Sequence, residues 1–278
     1  MSLALLVVQV LNGLQMGLLL FMIAAGLTLV FGVMDFINLA HGVQYMIGAY
    51  LAEFVVFRRL YDRDHLDQML ATFGLILFLN QGVKSLWGAE PLSVPTPDIL
   101  SGGVRLMPGL LYPVYRLALI GVGLALALGL HLLINHTRVG MLIRAGATNG
   151  DMVSALGVNI RRLFMIVFGF GAMLAGLAGA LVAPILSVEP GMGDNLLILT
   201  FVVIVIGGVG SIRGAFLGAL MIGLIDTLGR AFGTQWLLLA LAPAAASQTG
   251  RSLAPMLIYI LMATVLFFRP SGLFPAKR

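Results

Sequence analysis

The chain has 278 residues, 60% of them hydrophobic and only 10% charged, with a mean hydropathy of +1.06. A soluble domain carries roughly 25% charged residues, so the composition excludes a water-facing globule and makes lipid the solvent for most of the chain. The net charge of +5 comes almost wholly from arginine, and there is no cysteine. This excludes disulfides, thiolate metal sites and cysteine nucleophiles. The basic excess fits the loops on one side of a membrane, not a nucleic-acid partner.

In chain order, the first apolar run covers residues 3–24. It has no basic leader and no small-residue cleavage site, so it reads as a retained helix, not a signal peptide. Residues 25–40 begin apolar and turn polar at Asp35 and Asn38. They read as a broken or re-entrant piece, which membrane depth tolerates only beside protein or a water-filled cavity. Further spans are expected at 41–57, 68–87, 114–134, 163–187, 195–211, 214–232 and 253–269. The expected fold is all-α: a polytopic membrane protein with about eight transmembrane helices plus the broken segment, as one transmembrane domain over residues 1–278. The stretches 88–113 and 233–252, rich in Pro, Gly, Ser and Thr, read as loops.

Arginines orient the chain. Arg58, Arg59 and Arg63 mark one loop, Arg138, Arg144, Arg161 and Arg162 a second, Arg213 a tight link between two spans, and Arg269, Lys277 and Arg278 the C-terminus. With eight spans these fall on one side together with the N-terminus, and the positive-inside tendency makes that side cytoplasmic. Helices at Gly42 and Gly214 each follow a polar or Gly-rich break. That pattern suits an internal repeat and equally a coincidence among Gly- and Ala-rich helices. Small residues recur four apart at Gly13 and Gly17, at Ala172, Gly176 and Ala180, at Ala175 and Gly179, and at Gly214 and Gly218. Such stripes let helix backbones approach closely in lipid.

Polar side chains inside apolar runs are costly there, roughly 2.5–3.5 kcal/mol for an ionised group on insertion scales. Asn12, Thr28, Asp35, Asn38, His41, Gln44 and Asp226 are therefore candidates for a translocation path, as are Gln9, Gln15 and Glu53. Asn38 also suits a helix cap, and Glu53 suits the interface at a span end. No ring of acids and no arginine-studded helix is present, which disfavours a simple ion channel. A phosphate-binding loop of the form G-x-x-x-x-G-K-[ST] is absent, and no catalytic spacing stands out, so the chain reads as neither ATPase nor enzyme.

The segment 136–162 interrupts the oily chain with arginines around a short helix-like unit, Asp151 to Leu156, stopped at Gly157. Asp151 would open that helix at its positive end, and Ala155 and Leu156 would give it a small apolar face. A short helix of this kind can seat in a cleft on a soluble partner. An interfacial amphipathic connector is the other reading.

Four stretches together resemble a known family. They are Gly26-Leu-Thr-Leu-Val-Phe-Gly-Val-Met-Asp-Phe-Ile-Asn-Leu-Ala-His-Gly42, the segment Arg144 to Asn159, Gly207-Gly-Val-Gly-Ser-Ile-Arg-Gly-Ala-Phe-Leu-Gly218, and Arg269-Pro-Ser-Gly-Leu-Phe274. In this order they resemble LivH-type permease subunits of branched-chain amino acid ABC importers. The resemblance implies a bacterial inner-membrane protein with no cofactor of its own, ATP being used by partner subunits. It also implies a homologous second permease, two ABC ATPase subunits, an extracytoplasmic solute-binding protein and a branched-chain or other hydrophobic amino acid as substrate. It places Arg144, Asp151, Ala155 and Gly157 in ATPase coupling, and the region of Asn38 and His41 with the turn at Gly207, Gly208 and Gly210 near the path or gate. Related permeases move urea, short amides or small organic acids, so the substrate stays open at this point, as does an ion-coupled transporter acting alone.

Overall fold

The computed structural model describes residues 3–34, 65–107, 110–237 and 243–275. Its helices are α1 (Leu3–Met34), α2 (His65–Trp87), α3 (Val114–His136), α4 (Arg138–Thr148), α5 (Gly150–Ala155), α6 (Ile160–Val182), α7 (Met192–Gly207), α8 (Ile212–Leu237) and α9 (Pro243–Phe268). Among the described residues, five stretches are long and apolar enough to cross a membrane: Leu3–Gly32, Met69–Trp87, Val114–His136, Ile160–Val182 and Ile212–Gly233. The shorter Met192–Gly207 and Pro255–Phe268 are apolar as well. The chain is thus an α-helical, multi-pass membrane protein.

The first helix is the axis of the bundle. Residues 18–30 are buried without interruption, and α1 packs on α8 most extensively, then on α6, α3 and α7. Glycine makes this possible. A Cβ at Gly17 would lie 2.8 Å from the Ala219 carbonyl oxygen of α8, and one at Gly171 of α6 would lie 2.8 Å from the Gly26 carbonyl oxygen. Where no hydrophobic force drives helix association, such backbone contact supplies the dispersion energy. The stripe Ala175 and Gly179 is buried, and Gly214 meets Gly207. The stripe Ala172, Gly176 and Ala180 does not act as a unit, since Ala180 is exposed and Gly176 faces open space.

Two expectations are corrected. The break expected over 25–40 does not occur at 25–34, because α1 continues as one helix to Met34. That stretch has no proline, and its glycines serve close packing: Gly26 against Gly171, and Gly32 with a Cβ position 2.7 Å from the Gly210 Cα. Residues 35–40 and the expected span 41–57 lie outside the described residues.

The second correction concerns direction. Asn12 of α1 meets Arg116 at the start of α3, and Leu18 meets Gly123 about two turns further on, so α1 and α3 run parallel. Helices α6 and α8 run antiparallel to α1, through Gly171 on Gly26 and Gly223 on Gly13 and Gly17. The start of α1 therefore lies at the opposite end of the bundle from α4 and α5, not on their side. The charge pattern could not show this, because residues 1–57 contain no lysine or arginine.

At the end holding the start of α1, the expected loop 88–113 carries a short antiparallel hairpin, β1 (Gly103–Met107) with β2 (Leu110–Pro113). Leu92 and Val188 exchange backbone hydrogen bonds of 2.9 and 2.8 Å, tying this loop to the one after α6.

Candidate functional site

Helices α4 and α5 are built from local capping. The Thr137 hydroxyl accepts from the Gly140 N–H at 3.1 Å, and the Asn149 side-chain oxygen accepts from the Met152 N–H at 2.9 Å. The Asn159 side-chain oxygen accepts from the Arg162 N–H at 3.0 Å. Each cap satisfies one of the orphan donors at a helix start. Asn149, not Asp151, opens the short helix, and Asp151 stands exposed in its first turn. Gly157, at φ +88°, ends the segment in the left-handed region.

The apolar face differs from the expected one. Val153 is the buried residue of α5. Met152 and Leu156, one turn apart, stand 63% and 78% exposed, and Ala155 is exposed beside them. A six-residue helix and its C-cap Leu156, anchored by one side chain, thus present two large apolar groups and a carboxylate outward. Arg144 of α4 reaches back to donate to the Ile134 carbonyl, one of the unsatisfied carbonyls at the end of α3.

The other half of the site is the turn between α7 and α8. Gly208 and Gly210 have φ of +105° and +78°, which glycine alone adopts without strain. Ser211 caps α8 by accepting from the Gly214 N–H at 3.1 Å. The segment after α9 docks here: Leu273 and Phe274 donate to the Ile206 and Gly207 carbonyls, both at 2.9 Å. A Cβ at Gly208 would lie 3.0 Å from the Phe274 backbone.

Between the two halves lies a cavity of about 1110 Å³. Arg144, Gly210, Ser211, Arg213, His131 and Gly32 are among its lining residues. The structure thus brings Arg144, expected in coupling, to one cavity with Gly210, expected in the gate, and sets Gly207 and Gly208 directly behind it.

The remaining candidates are scattered. Asn12 lies at the far end, where its side-chain oxygen accepts from the Tyr112 hydroxyl at 3.0 Å and from the Arg116 guanidinium at 2.8 Å. Tyr112 is fully buried, and that burial pushes its phenol pKa up against the lowering influence of Arg116. Thr28 is 1% exposed on α1, and its hydroxyl has no partner among the described residues. Asp226 is paired with Arg230 at 2.8 Å, so it is not a lone intramembrane acid. Asp35, Asn38, His41 and Gln44 lie outside the described residues. Tyr112, Arg116 and His131 were not singled out from sequence, although an arginine near the start of a span, as at position 116, is a signal of cost in lipid.

The structure is thus a multi-pass bundle of apolar helices on a glycine-packed axis, with a short, outward-facing helix at the end that also holds the glycine turn. Residues 67–266 match the family described as branched-chain amino acid transport system / permease component, and the chain belongs to that family. It is 28% identical to the high-affinity branched-chain amino acid transport system permease protein BraD of Pseudomonas aeruginosa, over 95% of this chain and 94% of that protein. It is 27% identical to the permease protein LivH of Escherichia coli, over 81% of this chain and 86% of that protein. A shorter likeness, 32% over 37% of this chain, extends to the fructose import permease protein FrcC of Rhizobium meliloti. No solved structure matches the chain. The protein is a transport subunit and not an enzyme, and its family implies an ABC transporter with ATPase and binding-protein partners.

Proposed function

We propose that this chain forms one half of the membrane channel of an ATP-driven importer for branched-chain or other hydrophobic amino acids. A second, homologous permease forms the other half, two ABC ATPase subunits drive it, and an extracytoplasmic solute-binding protein delivers the substrate. The relatives BraD and LivH, named for branched-chain amino acids and matched over most of their length, support the substrate.

The observation that carries the mechanism is the outward face of α5. Met152, Leu156 and Asp151 suit a cleft on a soluble ATPase. The rigid chain of caps from Thr137 to Asn159 then transmits movement to α4, and Arg144 faces the turn at Gly210 across the cavity. Arg138, Arg144, Arg161, Arg162, Arg213 and Arg269 all lie at this end, which supports a cytoplasmic placement for it and for the C-terminus. The start of α1 then faces the extracytoplasmic side, in an inner membrane.

The test is uptake. The complex that copurifies with the tagged chain is reconstituted into vesicles with its binding protein, and radiolabelled leucine is offered with or without internal ATP. Uptake that requires ATP and a copurified ATPase is the expected result. Uptake by this chain alone, driven by a proton gradient, would overturn the reading.

A further inference from the structure

The cavity at the coupling end is chemically lopsided. Its described lining carries two guanidinium groups, Arg144 and Arg213, with His131, Ser211 and Thr148, and no carboxylate. Arg144 is partly engaged by the Ile134 carbonyl. Arg213 is exposed, one residue into α8, whose N-terminal end adds partial positive charge. An amino acid would bring an ammonium group into this cationic setting, where the described lining offers no acid to meet it. An anion has both charge and hydrogen-bond donors waiting.

The rest of the surface says what carries the anion. Leu124, Leu128 and Leu132 of α3 are exposed at spacings of four. They form a stripe on the helix that continues at His131 and Asn135, both of which line the cavity. An apolar ridge thus leads from the middle of the span directly into a basic recess at its end. Basic pockets between transmembrane helices at this depth suit anionic headgroups.

We propose that this cavity seats the phosphate of an anionic phospholipid, with its acyl chains along the Leu124, Leu128 and Leu132 ridge. Arg213 and Arg144 hold the phosphate, and His131 and Ser211 complete its hydrogen bonds. Because the same recess separates Arg144 of the coupling segment from Gly210 of the turn, the lipid joins these two elements. The site does not depend on the identity of the transported substrate.

The experiment uses the full chain extracted in mild detergent with the subunits that accompany it, stripped of lipid. Phosphatidylglycerol or phosphatidylcholine with the same acyl chains is then added, and retention is read by native mass spectrometry. Phosphatidylglycerol is expected to be retained and phosphatidylcholine not. R213Q should weaken retention about fivefold, consistent with one basic contact near a membrane surface, whereas R213K should keep most of it. R105Q, on the hairpin at the other end, is the control and should change nothing. Equal retention of both lipids, or no effect of R213Q, would overturn the site. Displacement by millimolar inorganic phosphate would show that free phosphate, not lipid, is the ligand. A crosslink from position 213 to an ATPase subunit with no lipid retained would make the recess a subunit-docking surface instead.

Discussion

Gly208 and Gly176 show how differently one residue type can be used. Gly208 sits at φ +105° with the Phe274 backbone 3.0 Å from any Cβ. G208A therefore strains the turn and should cost about 1–3 kcal/mol, seen as a lower melting temperature of the detergent-solubilised chain. Gly176 lies within α6 with open space around it. G176A should be neutral or stabilise by about 0.5–1 kcal/mol, through lower unfolded-chain entropy. The sequence marked both as glycines of interest, the first within a motif and the second within a stripe. It could not tell them apart, because a positive φ and a neighbouring chain segment are properties of the fold. The Asn12 contact is similar. Asn12 was legible as an intramembrane polar residue, but its partners Tyr112 and Arg116 are about 100 residues away in the chain. N12A leaves the buried Tyr112 hydroxyl and the Arg116 guanidinium without this acceptor, and should cost about 1–3 kcal/mol. Retention of the wild-type melting temperature in N12A would contradict this.

At the scale of elements, the short helix was legible because its ends are written locally. Gly157 and the Asn and Thr caps act within three residues of their partners. N149A should remove about 1 kcal/mol from the start of α5 and lower ATP-driven uptake without affecting membrane insertion. Helix α4 was hidden in what reads as a loop. Its three buried residues, Gly140, Ile143 and Gly146, are recognisable as a face only once the helix period is assumed. The expected break at 25–34 failed for the opposite reason. Polar residues from Asp35 onward suggested an irregular backbone, but α1 runs unbroken to Met34 and meets its neighbours closely at Gly26 and Gly32. Substituting Gly17 by leucine, where the Ala219 carbonyl and the Leu220 Cα lie 2.8 Å from any Cβ, should separate α1 from α8 and abolish stable expression. Gly121 on α3, with open space around it, should accept leucine.

At the scale of the whole molecule, composition alone decided the solvent, and the motifs decided the family. The direction of the first helix was not legible. It rests on contacts between α1, α3, α6 and α8, and the first 57 residues hold no lysine or arginine that could substitute for them. The absence of cysteine makes this directly testable. L3C and L156C, each a single exposed thiol, should be labelled by a membrane-impermeant maleimide from opposite faces. Labelling from the same face would restore the arrangement expected from eight alternating spans.

The central claim is that α5 passes the work of an ATPase to the turn at Gly210. Its most direct test is ATP-driven leucine uptake in vesicles carrying M152E/L156E. Two charges on the outward face of α5 should leave insertion and pairing with the second permease intact. They should also release the ATPase and lower uptake by about tenfold or more, the equivalent of at least 1.4 kcal/mol of lost contact. Wild-type uptake with the ATPase still bound would contradict the account.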